Sequence, residues 1–140
     1  MARIDIPMPQ TYAFTTELDI RIQDINVANH VGHDTFISLL HEARVRFLHH
    51  LGYTEADIEG CAILVSDLAV VYKAQARHRD RLRCEIAAVE FNKYGCDIFY
   101  RMTRAQDDTL ILEAKTGIVF FNYHENKVTR MPREFAKAVS

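Results

Sequence analysis

Residues 34–51, DTFISLLHEARVRFLHHL, decide the fold. Phe36, Leu39, Leu40, Ala43, Phe47, Leu48 and Leu51 recur every three or four residues, the stripe of an amphipathic helix that needs an apolar surface to lie on. Ser38, His41, Glu42, Arg46 and His49 fall on the opposite face. Asp34 suits the N-cap or first turn, where an acid meets free N–H groups and the positive dipole end. Gly52 suits the stop.

The sequence on either side reads with a period of two. In residues 12–22, Tyr12, Phe14, Thr16, Leu18, Ile20 and Ile22 share one face, which predicts a half-buried strand. Residues 62–73 are nearly continuous apolar, which predicts a strand buried on both faces. Residues 82–91, 96–104 and 110–121 predict three more strands, divided by polar turns at 92–95 and 105–108. A last hairpin at 124–126 returns through 127–131, and a tail begins at Pro132. Strands joined by short turns pair antiparallel, and a lone helix must cover one face of their sheet. The expected class is α+β, one domain over residues 1–140.

Composition narrows the function. The chain has 140 residues, 49% hydrophobic, enough for a core without metal or disulfide staples. A net charge of −2 gives no electrostatic footprint for nucleic acid or an anionic membrane. No stretch approaches a membrane span. Cys61, Cys84 and Cys96 are odd in number and far apart, so they form no disulfide framework. With no leader-like apolar run at the N-terminus, the expectation is a reduced, cytoplasmic protein. His30 and His33 have an H-x-x-H spacing, but no H-E-x-x-H and no cysteine knuckle accompanies it, so no metal site is expected. Phosphate-binding glycine motifs are absent as well.

Unusual polar residues concentrate in residues 23–33, QDINVANHVGH, immediately before the helix. Asp24, Asn26, Asn29, His30, His33 and Asp34 crowd a helix start, whose free N–H groups are suited to a developing oxyanion.

The run from Asp24 to Phe36, followed by Leu40-His-Glu-Ala-Arg44, resembles the hotdog-fold acyl-CoA thioesterases, in particular the 4-hydroxybenzoyl-CoA thioesterase family. That family carries a loop of the type D-x-D-x-x-G-H-V-N-N-x-x-Y and a helix segment like F-E-E-A-R. The run from Val71 to Asp80 resembles its Y-x-x-P-A-R-x-G-D segment. The resemblance implies a long helix wrapped by a curved antiparallel sheet of five or six strands. It also implies a homodimer, or a dimer of dimers, with acyl-CoA sites between subunits and no cofactor beyond the coenzyme A of the substrate.

Position by position, the resemblance assigns the oxyanion donor to the backbone N–H of His33. The family's general base or nucleophile, the second acid of D-x-D, stands here as Asn26, and the first acid is Asp24. An amide cannot take a proton at neutral pH, although it can orient water. The candidate catalytic residues are therefore Asn26, His33, Asp24 and Asp34, with His33 or Asp24 as proton acceptor. The candidate substrate-binding residues are His30, Phe36, Ser66, Asp67 and Lys93. Phe36 matches the family aromatic. Ser66 and Asp67 interrupt an apolar strand, and Lys93 matches a turn that faces coenzyme A phosphates in some members. Two functions follow: hydrolysis of an acyl-CoA thioester, or non-hydrolytic binding of acyl-CoA or acyl carrier on the same scaffold, which Asn26 motivates.

Overall fold

The computed structural model describes residues 1–139. Its elements run β1 (Phe14–Asp19), a 3-10 turn (Ile22–Asp24), α1 (His33–His50), β2 (Ala62–Tyr72), β3 (Arg81–Val89), β4 (Gly95–Arg104), β5 (Leu110–Asn122), β6 (Lys127–Val128) and α2 (Arg133–Val139). Six strands form one sheet in the order β1-β3-β4-β5-β2, with β6 pairing the end of β5. The named pairings are antiparallel. This is the hotdog arrangement that the resemblance implied, a sheet around one long helix.

The helix forms where the periodicity placed it. Gly32 is its N-cap, and Asp34 lies within the first turn, so of the two expected roles it takes the second. The exit is a Schellman turn. Gly52, at φ +88°, occupies the left-handed position that glycine tolerates best. Tyr53 N–H reaches Leu48 O at 2.8 Å, and Gly52 N–H reaches His49 O at 2.9 Å.

Leu40, Ala43, Phe47 and Leu48 are buried against the inward residues of the sheet, among them Ile86, Ile98, Tyr100, Met102, Leu112 and Phe120. Burial of a side chain the size of Phe47 contributes roughly 2–3 kcal/mol. Phe14 of β1 closes on Phe47 with ring centroids 5.6 Å apart.

Three expectations change. The first strand runs Phe14–Asp19, so it begins two residues late and stops three residues early, and Ile22 turns outward into the 3-10 segment. The expected tail after Pro132 is a short helix, α2, whose buried Phe135 packs edge-on against Phe120 at 5.1 Å. The apolar run of β2 is not covered on both faces within the chain. It is a sheet edge, and Leu64, Val65, Leu68 and Tyr72 are 36–45% exposed. An unbroken apolar pattern states that a strand needs covering, not which chain supplies the cover.

Among the described residues, no helix is long and apolar enough to cross a membrane.

Candidate active site

The loop before α1 is shaped by its own polar groups. Asn26 Oδ1 accepts from Ala28 N–H at 2.9 Å, and its backbone N–H reaches His30 O at 3.0 Å. Asn29 sits at φ +64°, a region asparagine tolerates better than most residues. Val31 N–H donates to Ala76 O at 2.8 Å, tying the loop to the segment after β2. His30 Nδ1 donates to Val31 O at 3.2 Å, so that ring is turned onto the loop backbone.

The helix start is bare. Its first backbone bond runs from Phe36 N–H to Gly32 O at 3.2 Å, which leaves the N–H groups of His33, Asp34 and Thr35 without helical acceptors. Gly32 has no side chain to cap them. It is also a point of close approach. A Cβ there would lie 2.8 Å from Asp34 Oδ1 and 3.4 Å from Asn26 Nδ2. The carboxylate of Asp34 and the amide of Asn26 thus converge over the Cα of Gly32.

Tyr72, at the end of β2, completes this corner. Its hydroxyl donates to His33 O at 2.7 Å, and its ring stands 5.7 Å from Phe36. Burial, with the charge of Asp34 nearby, pushes the Tyr72 hydroxyl above its ordinary pKa, so it remains a donor. The sequence reading passed over Tyr72 as the last residue of an apolar strand. Its matching position in the Y-x-x-P-A-R-x-G-D segment was the available signal.

Asp24 is buried and already engaged. Its Oδ2 accepts from Arg21 N–H at 2.8 Å and faces the Arg21 guanidinium at 3.4 Å. His33 is exposed at the mouth of the corner. Phe36 is buried beneath it. The structure therefore brings Asn26 and Asp34 together over Gly32, with His33 and Phe36 joined to that corner through Tyr72, while Asp24 is tied to Arg21.

The remaining candidates lie elsewhere in the protomer. Ser66 is the extra residue of a bulge in β2, between Val65 and Asp67. Asp67 accepts from Lys115 Nζ at 2.7 Å and Gly117 N–H at 2.9 Å. The Lys115 bond comes first in holding its carboxyl below the ordinary range. Lys93 lies in the turn before β4, near the Ala62 end of β2, with Nζ 5.4 Å from the Tyr94 ring centre. Tyr72 is at the other end of that strand, roughly 30 Å away at the rise of an extended chain.

A second polar group lies further down α1. Arg44, buried on the helix, donates from Nε to Glu55 Oε2 at 2.7 Å and from Nη1 to Tyr100 Oη at 3.2 Å. The Tyr100 hydroxyl pairs with Thr116 Oγ1 at 2.7 Å, and His41 Nε2 donates to Glu55 Oε1 at 2.5 Å. Burial works to raise the Glu55 pKa, but the Arg44 and His41 bonds outweigh it and hold the carboxyl below its ordinary value. The apolar stripe gave no sign of this network, because Arg44 falls within it.

Burial pushes the Cys96 thiol up to about 12 and that of Cys84 higher still, which removes both as nucleophiles near neutral pH. No group of three His, Cys, Asp or Glu side chains among the described residues is placed to hold a metal ion.

Comparison with known proteins agrees with this architecture. The chain superimposes with a TM-score of 0.83 on a 1,4-dihydroxy-2-naphthoyl-CoA thioesterase from Synechocystis, at 22% identity over 90% of this chain and 94% of that one. A gentisyl-coenzyme A thioesterase matches with a TM-score of 0.80 at 15% identity, over 91% of this chain and 100% of that one. The DHNA-CoA thioesterase of Staphylococcus aureus matches with a TM-score of 0.79 at 19% identity, over 89% and 86%. No curated protein sequence matches significantly. A model of the thioesterase-like superfamily matches residues 20–139. With that match running from the end of β1 through α2, the chain belongs to the thioesterase-like superfamily, on the hotdog fold.

Proposed function

We propose that the chain hydrolyses an acyl-CoA thioester at the start of α1, using a backbone oxyanion site. One observation carries this reading: three N–H groups at the helix start have no helical acceptor, and the N-cap is a glycine. The thioester oxygen takes the His33 N–H, where the helix dipole also favours the charge that develops on it. Donors fixed by the helix need no reorganisation as that charge forms.

Asn26 orients the attacking water, and Asp34, which meets it over Gly32, takes the proton. This moves the base from Asp24, whose carboxylate holds Arg21, to the first-turn acid. Water adds to the carbonyl carbon, the tetrahedral intermediate expels the thiolate of coenzyme A, and the free acid leaves. Tyr72 fixes the register of the helix start by holding His33 O. The chemistry needs no cofactor. Two of the solved relatives are named for coenzyme A thioesters of aromatic acids, which supports coenzyme A as the carrier.

The working unit in this reading is a homodimer joined along β2. That edge is eleven residues long and apolar, and it ends at Tyr72 beside the helix start. Antiparallel pairing of two such edges sets the Ala62 end of one copy against the Tyr72 end of the other. The Lys93 turn of a second copy is thereby carried towards the site, where it meets the phosphates of coenzyme A.

The test is release of free coenzyme A thiol from short, long and aromatic acyl-CoA esters, with wild type and Asn26→Asp compared. Wild-type turnover that falls sharply in Asp34→Asn bears the reading out. Silence from the wild type, with tight acyl-CoA binding by calorimetry, favours instead the non-hydrolytic binder to which Asn26 points.

A further inference from the structure

The oxyanion corner occupies only the first turn of α1. One turn further on, a cavity of about 260 Å³ opens between α1 and β2. Its walls are apolar: Ile37 and Leu40 from the helix, Val65 and Leu68 from the strand. Its remaining lining is polar and includes His41, Arg44 and Thr116. These three belong to the network that Glu55 and Tyr100 complete.

Two polar atoms in that network are not used up, a donor on Arg44 and a ring-nitrogen acceptor on His41. Arg44 spends Nε on Glu55 and Nη1 on Tyr100, while Nη2 makes no hydrogen bond among the described residues. Neither is Nη2 among the fully enclosed side-chain atoms that lack a partner. His41 spends Nε2 on Glu55, and Nδ1 makes no hydrogen bond among the described residues. The guanidinium and imidazole are each fixed by a partner on one side and left unpaired at another atom. A charged arginine is costly to hold in an apolar wall for packing alone. Glu55 bonds both His41 and Arg44, so it orients the two groups together.

Resting on the acyl-CoA reading above, we infer that this cavity takes the acyl chain and that His41 Nδ1 and Arg44 Nη2 read a hydroxyl near the chain's far end, the one accepting from it and the other donating to it. The geometry fits the order of parts along α1. The carbonyl is held at His33, the apolar walls begin at Ile37, and the polar groups stand at His41 and Arg44. His41 lies roughly 12 Å along the helix axis from His33, by the rise per residue. Helical side chains lean back towards the N-terminus, which shortens the reach. Charge selects a neutral oxygen over a carboxylate. Glu55 already balances Arg44, so an anionic chain end would enter beside an existing carboxylate. A plain alkyl chain would strip water from Arg44 Nη2 and return nothing, the kind of discrimination a polar site makes against an apolar analogue.

The experiment compares hexanoyl-CoA with its ω-hydroxy and ω-carboxy counterparts, in wild type, His41→Leu and His41→Gln. His41 is exposed, so these variants should retain the fold, whereas Arg44 replacements test packing as well. The readout is the ratio of kcat/KM between esters, which does not depend on absolute rate. The expected result is at least a tenfold wild-type preference for the ω-hydroxy ester over hexanoyl, falling to near one in His41→Leu and partly restored in His41→Gln. A ratio near one in wild type, a preference that survives His41→Leu, or a preference for the ω-carboxy ester overturns the inference. Calorimetry with the non-hydrolysable hexyl and ω-hydroxyhexyl thioethers of coenzyme A separates the two readings. Absent turnover with selective thioether binding sinks the hydrolytic proposal alone. Turnover with equal binding and equal kcat/KM sinks the acyl-end assignment alone.

Discussion

The two edges of the sheet are finished in opposite ways. β1, at one edge, is six residues long and carries charge. Arg46 reaches across from α1 to donate to Glu17 O at 2.7 Å and Thr16 Oγ1 at 3.0 Å, occupying polar groups that another strand would seek. Arg81 sits between Glu17 and Asp19 at the same edge. β2, at the other edge, is eleven residues long, and Leu64, Val65 and Leu68 stand exposed along it. An open strand edge is a template for pairing, and proteins blunt the edges they do not use with charge or short length. One edge here is blunted and the other is not. The open edge is also the one whose last residue holds the start of α1.

The strongest way to break this contrast is Ser66→Pro. Ser66 has no register partner on β5, and a bulge is where a sheet tolerates proline, so the substitution perturbs the open edge at the least cost to pairing within the chain. The expected outcome is a native circular dichroism spectrum, a monomer in sedimentation, and kcat/KM lower by about 100-fold, the scale of loss from a misplaced site. A dimer with full activity would show that β2 does not carry the assembly.

Tyr72→Phe probes the same edge at its last residue. It deletes the hydroxyl on His33 O and keeps the ring on Phe36. One hydrogen bond of this kind contributes about 1 kcal/mol, so kcat should fall roughly five- to tenfold with the dimer intact. Steady-state kinetics beside sedimentation decides whether Tyr72 serves the site or only the assembly.

The blunted edge is tested by Arg46→Ala, which frees Glu17 O and Thr16 Oγ1. Because Arg46 and Glu17 are solvent-exposed and Thr16 is only half-buried, urea denaturation should show a loss of no more than about 1 kcal/mol, with no change in oligomeric state. A new higher oligomer would mean that Arg46 alone keeps β1 from pairing.

The smallest effect is expected from pH at the outer side of β2. The Asp67 carboxyl is held below its ordinary value of 3.8 first by Lys115 and also by Gly117 N–H. A depressed acid stabilises the fold above its unfolded pKa and loses that contribution as pH falls through the folded one. Thermal midpoints of wild type and Asp67→Asn should therefore differ most near neutrality and converge as pH drops below 3.8. A difference that grows on acidification would contradict the Asp67–Lys115 assignment.

Much of the site was legible because it is local. Asp24, Asn26, His33 and Asp34 lie within eleven consecutive residues, and a loop before a helix can be read from its residue types. Its internal division was not legible. Asp24 and Asp34 are both acids beside the same helix, and only the fold shows one tied to Arg21 and the other over Gly32. Tyr72 and His33 are 39 residues apart, and Arg44 and Tyr100 are 56 apart, so no local pattern signals either contact.

The sequence alone determined the long helix, the succession of strands and the polar loop, because each follows from side-chain periodicity and turn chemistry over a few neighbouring residues. Tertiary structure decided which apolar strand became an edge. It also placed a charged arginine inside an apolar stripe and turned the Asp34 carboxylate over the helix start. Those outcomes depend on which distant groups arrive to pair, cover or leave open a surface, and a chain's local pattern specifies the need without naming the partner.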